Sequence, residues 1–136
     1  LSAQPPTVAR TLVTLDALNT AASPAGWIPD GGNETLGNNV AAHLDVDFNN
    51  QPDLPRPQGS SSPVTFDFAL DLTQEPSDYR DASVTNLFYW CNIAHDRLYQ
   101  LGFTESAGNF QTDNFGRGGS GNDAVQADAQ DGSDTD

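Results

Sequence analysis

Alternation and helical periodicity divide the apolar residues of this chain into two alternating runs, one long stripe and a short terminal run. From Asn39 to Phe48, Val40, Ala42, Leu44, Val46 and Phe48 point one way and Ala41, His43, Asp45 and Asp47 the other, which predicts a half-buried strand. Val64, Phe66, Phe68 and Leu70 alternate with Thr65, Asp67 and Ala69 and predict a second strand. From Asp78 to Leu101 the period becomes helical. Val84, Leu87, Phe88, Cys91, Ala94, His95 and Leu98 fall on one stripe, Pro76 suits the helix start, and Gly102 suits a left-handed C-terminal cap. Asp123 to Ala129 predicts a short strand with Val125, Ala127 and Ala129 on one face, and Thr11 to Leu15 another. Between these lie loops: Ser23 to Asn33, which Trp27 and Ile28 pin to a surface or core, then Asn49 to Ser62 and Gly116 to Gly121. The expected class is α+β and loop-rich, with several short strands and one long amphipathic helix over about 78–101. No internal repeat or domain boundary is visible.

Composition narrows the partners. A hydrophobic fraction of 36% over 136 residues allows one small core, or half of a larger one. The final stretch from Gln126 to Asp136 carries no apolar side chain larger than Ala, which favours the second option. Five basic against nineteen acidic residues give a net charge of −14. That balance argues against nucleic acid and anionic membrane as partners, since both need positive charge on the protein. It fits a solvated acidic surface and can support calcium binding. The lone cysteine, Cys91, has no internal disulfide partner, and its place on the apolar stripe predicts a buried, unreactive thiol. The first residues show no signal-peptide pattern, and no run approaches the length of a membrane span.

The candidate chemistry is thin. A catalytic zinc needs three protein ligands and an open position, whereas this chain has only His43 and His95, on different predicted elements, and no His-Glu-x-x-His. His95-Asp96 places a carboxylate beside an imidazole. Adjacent helix positions diverge by about 100°, so the two side chains are expected to point apart, with His95 bonded instead to a neighbouring segment. Gly118 to Gln126 matches the nonapeptide of calcium-binding β-rolls, but a single copy lacks the stacked neighbours that share each ion. Asp45, Asp47 and Asn49 open like an EF-hand loop that fails at Asn50 and Arg56. Asp128, Asp131, Asp134 and Asp136 read either as a solvated tail or as part of a calcium site completed elsewhere. Asn33-Glu34-Thr35 is an acceptor sequon. No catalytic, cofactor-binding or metal-ligating residue is assigned within the chain.

Several blocks in order carry a family resemblance: Ser23-Pro-Ala-Gly-Trp27, Gly37-Asn-Asn-Val40, Val84-Thr-Asn-Leu-Phe-Tyr-Trp90, His95-Asp96 with Tyr99 and Gly102-Phe103, Ala107-Gly-Asn-Phe110, Asn114-Phe-Gly-Arg-Gly-Gly119, Gly121-Asn-Asp123 and Ala129-Gln-Asp-Gly132. Spanning about residues 23 to 132, the chain resembles the fungalysin family of secreted zinc metallopeptidases. The resemblance implies a thermolysin-like, two-lobed endopeptidase made as a precursor and secreted. Residues 1–22 would be an N-terminal extension and 23–136 the N-terminal part of the catalytic domain, inactive alone. The partners implied are protein and peptide substrates and the remainder of the catalytic domain. The cofactor implied is Zn2+, bound outside this chain, with Ca2+ as a further option. In the intact enzyme a zinc-activated water would attack the peptide carbonyl with a glutamate as base. The competing expectations are a non-catalytic, acidic calcium-binding or adhesion module, and a proteolytic remnant docked to its other half.

Overall fold

In the computed structural model, which describes residues 12–13 and 19–135, the alternating run after Asn39 forms a five-residue strand, β1 (Val40–Leu44). It pairs in parallel with β2 (Val125–Ala129), in a register that sets Val40 against Val125 and Leu44 against Ala129. Parallel neighbours need a long crossover, and helix α1 (Arg80–Gln100) lies within it, packed on both strands. The core forms at that junction from Trp27, Val40, Ala42, Val84, Phe88, Ala127 and Ala129.

Three expectations meet the structure directly. α1 follows a 3-10 turn, Pro76–Tyr79, with the proline in its first turn, where a missing N–H costs nothing. The helix ends in a Schellman pair: the Phe103 amide donates to the Leu98 carbonyl and the Gly102 amide to the Tyr99 carbonyl, both at 3.0 Å. Gly102 takes φ +99°, the left-handed conformation that this cap requires. The run after Asp123 is a strand with Ala127 and Ala129 facing inward.

Four expectations are corrected. β1 is buried on both faces, because bridges from Leu36 to Ala41 and from Asp53 to Leu44 bring loops alongside it. Alternation reports a strand's two faces but not the loops that cover the second one. The strand also stops at Leu44. The Asp45 carboxylate accepts the Asn49 and Asn50 amides at 2.9 and 2.7 Å and bends the chain away, leaving Phe48 exposed at φ +60°. Val64 to Leu70 forms no strand. It contributes one bridge, Ser60 to Thr65, and Leu70 stays exposed, because alternation supplies a face without supplying an edge to pair with. The single helical stripe splits in two. Val84, Phe88, Asn92, His95 and Asp96 are buried, whereas Ala94 and Leu98 face outward. The described residues thus hold two strands rather than several, in a mixed α+β arrangement. The expected strand from Thr11 to Leu15 falls largely outside the described residues.

Candidate functional site

Asp96 anchors a buried polar cluster in the second half of α1. Its Oδ1 accepts the Ser23 hydroxyl at 2.7 Å and its Oδ2 the Trp27 indole N–H at 2.9 Å. His95 Nδ1 lies 3.0 Å from Oδ1, so the two adjacent side chains do meet. The 100° between them separates their Cα–Cβ bonds only, and both rotate under the covering 22–27 loop. Burial pushes the Asp96 carboxyl up, but the His95, Ser23 and Trp27 donors and the charge of His95 hold it below its ordinary value.

Serine, aspartate and histidine are also the residue types of a hydrolase triad, but the order here is different. The carboxylate lies between hydroxyl and imidazole, so Ser23 donates to Asp96, and His95 Nε2 faces Asn109 Nδ2 at 3.4 Å. No base is aligned to activate the serine. The cluster continues inward. Asn39 Nδ2 donates to Ser23 Oγ and to Asn92 Oδ1, and Gln111 Nε2 donates to Asn39 Oδ1 and to the Ala22 carbonyl. The result ties α1, the entry to β1 and two loops together.

A second cluster fixes the glycine loop. Buried Glu105 takes Arg117 Nη1 at 3.0 Å and the Tyr99 hydroxyl at 3.1 Å, and the same Arg117 nitrogen donates to the Ala21 carbonyl at 2.7 Å. Gly119, at φ +72°, approaches so closely that a Cβ would overlap the Glu105 carbonyl oxygen. The β-roll-like nonapeptide is therefore spent on local structure. Asp123 Oδ1 caps the Gln111 amide at 2.9 Å, and the stretch from Val125 is β2.

Carboxylates gather where β1 and β2 end. Asp45, Asp47 and Asp53 each place an oxygen within 4.8 Å of the others. Asp53 carried no sequence signal. It arrives because the loop after Asn49 returns to bridge Leu44, and its Oδ2 accepts the Val46 amide at 2.8 Å. Asp131 stands nearby, its carboxyl raised by burial first and then by the charges of Asp45 and Asp128. The other acidic residues disperse. Asp128 Oδ1 approaches Nε2 of buried His43 at 2.8 Å without hydrogen-bond alignment, Asp134 pairs with Arg80 at 2.7 Å, and Asp136 lies outside the described residues. Cys91 is half-buried rather than fully buried as its place on the stripe suggested, and burial pushes its thiol up, away from the reactive thiolate.

These donors do not fit a catalytic zinc. His43 and His95 each have a separate carboxylate partner, and among the described residues the one ligand cluster is all-carboxylate. Hard oxygen donors of that kind suit calcium better than a nitrogen-rich tetrahedral zinc site. Among the described residues no helix is long and apolar enough to cross a membrane.

Comparison with known proteins adds what the clusters do not. The family model described as fungalysin metallopeptidase (M36) matches residues 1–136. Extracellular metalloproteinase 1 of Trichophyton rubrum is 42% identical over 134 residues, covering 96% of this chain and 21% of the relative. Extracellular metalloproteinase 5 of the same organism is 43% identical over 138 residues, with the same two coverages. Extracellular metalloproteinase 5 of Trichophyton tonsurans is 44% identical over 120 residues, 86% of this chain and 20% of the relative. The chain spans about a fifth of the length of the curated relatives it matches.

Proposed function

Because this chain belongs to the fungalysin (M36) metallopeptidase family, we propose that it forms the N-terminal part of the catalytic domain of a secreted zinc endopeptidase. The family match over residues 1–136 carries the reading. In it, residues 1–22 extend from the domain and 23–136 belong to it. Zinc is held by residues outside this chain and supplies the activated water, the substrates are proteins and peptides, and the precursor is processed to the active form. The part described here contributes scaffold and one wall of the cleft. Its buried Asp96 and Glu105 clusters are the rigid support that a cleft wall needs.

The test is hydrolysis of casein by the natural gene product that contains this chain, with zinc content measured alongside. We expect activity that a chelator removes and zinc restores, and none from residues 1–136 alone. A purified, processed gene product that holds no zinc and cleaves nothing would sink the proposal.

The acidic cradle favours a second reading, calcium binding at Asp45, Asp47 and Asp53, either within the peptidase or in a non-catalytic acidic module. Calorimetry with CaCl2 in zinc-free buffer checks it. A thermal midpoint that rises with calcium in the wild type but not in Asp53→Asn supports it, and a midpoint indifferent to calcium removes it.

A further inference from the structure

Between Thr65, which bridges Ser60, and the 3-10 turn that opens α1, the chain runs without helix or strand. Every residue from Ala69 to Asp78 is exposed, the longest such run among the described residues. Leu70 is 54% exposed and Leu72 56%. The backbone of Phe68, Ala69 and Leu70 makes no backbone hydrogen bond among the described residues. The next such bond comes at Gln74, whose amide donates to the Asp71 carbonyl at 3.1 Å. The other exposed loops are tied internally. Asn114 Nδ2 holds the Gly118 and Ser120 carbonyls at 2.8 and 2.9 Å, and Asp45 holds the Asn49 and Asn50 amides. A peptidase pairs with the main chain of its substrate in extended form, so a helix, strand or bonded loop must open before it is cut. Residues 69–73 need no opening.

We propose that residues 69–73 are an internal processing site, where hydrolysis converts the folded protein into two chains that stay together. The agent is the peptidase's own activity, so this rests on the reading proposed above. Water gives its hydroxyl to the carbonyl carbon, the C–N bond breaks, and the amine leaves with the proton. The nick spares the core. The first piece carries the Trp27 loop and β1, and the second carries α1 and β2, which pack on β1. Bonds across the cut hold the pieces: Ser23 and Trp27 to Asp96, Gln111 to the Ala22 carbonyl, and the Gly132 amide to the Asp45 carbonyl.

Self-incubation of the mature natural gene product tests this, with N-terminal sequencing of the fragments and casein hydrolysis measured alongside. We expect the first cut between Phe68 and Gln74, slowed at least about tenfold by a zinc chelator, with the two chains separating only in denaturant. A first cut in another segment, or an uncut product that hydrolyses casein, would overturn the proposal and leave the peptidase reading standing. Pieces that part on a native sizing column would overturn it as well. The double variant Leu70→Pro with Leu72→Pro removes two amides that make no backbone hydrogen bond among the described residues. It should lengthen the half-life of the intact chain at least about fivefold. An unchanged half-life counts against the site. A product that cleaves neither casein nor itself removes the peptidase reading, and added subtilisin then reads the segment alone. A first subtilisin cut between Phe68 and Gln74 supports the processing site, and a first cut elsewhere overturns it too.

Discussion

Asp96 shows how much one side chain can organise. Three donors converge on it from its helix neighbour and from the 22–27 loop, and the loop's only large buried side chain, Trp27, is among them. Asp96→Asn keeps the shape but replaces an acceptor oxygen by a donor, so Ser23 or Trp27 loses its partner. The expected loss is about 1–3 kcal/mol, read from chemical denaturation at pH 7. The pH dependence has a definite sign. A carboxyl held below its ordinary value of 3.8 contributes stability that is present above that value and fades as pH falls through the folded pKa. The wild type should therefore lose stability below about pH 4 more steeply than Asp96→Asn does, which melting curves from pH 2 to 6 will show. Asp131 has the opposite sign. Its carboxyl is raised, so its ionised form opposes folding once pH exceeds 3.8. Asp131→Asn should melt higher than wild type at neutral pH and low salt, and the gain should shrink as salt is added.

At the scale of elements, the glycine loop and α1 are held by contacts that only a particular residue permits. Gly119 has both a left-handed backbone and a neighbouring carbonyl where a Cβ would go. Gly119→Ala should lift the loop off Glu105, release Arg117 and cost at least about 1–3 kcal/mol, measurable as a lower thermal midpoint. Gly102→Ala strains the cap alone, and the same measurement should show a smaller loss of about 1 kcal/mol. The helix was readable because its period, its starting proline and its capping glycine all agree. Its orientation was not, because two apolar arcs on one helix look like a single broad stripe until the sheet takes one of them. The buried polar residues Asn92 and Asp96 lay beyond the reach of periodicity for a related reason. Polar side chains enter a core only where specific partners satisfy them, and those partners come from Ser23, Trp27 and Asn39, far away in sequence.

For the whole molecule, charge sets the prediction. With a net charge of −14 and carboxylates crowded at the strand ends, self-repulsion opposes compaction. Raising NaCl from about 10 mM to about 500 mM shortens the Debye length several-fold and should raise the thermal midpoint. A midpoint that stays flat or falls would show that repulsion does not limit stability. The same crowding explains why the acidic cradle was only partly visible in advance. Asp45 and Asp47 stand in a recognisable spacing, but Asp53 joins them through a loop closure that no local pattern encodes.

By itself the sequence determined the helix with its cap, the β2 strand, the loop pinned by Trp27, the acidic character and, through ordered blocks, the metallopeptidase family. These follow from local periodicity, turn chemistry and residue identity, which are written in neighbouring positions. Tertiary structure decided which arc of α1 is core, why β1 is buried on both faces, why Val64 to Leu70 stays irregular, and that His95 and Asp96 meet. Each of these depends on which distant segment arrives to cover a face or offer a hydrogen bond, and that pairing exists only once the chain has closed on itself.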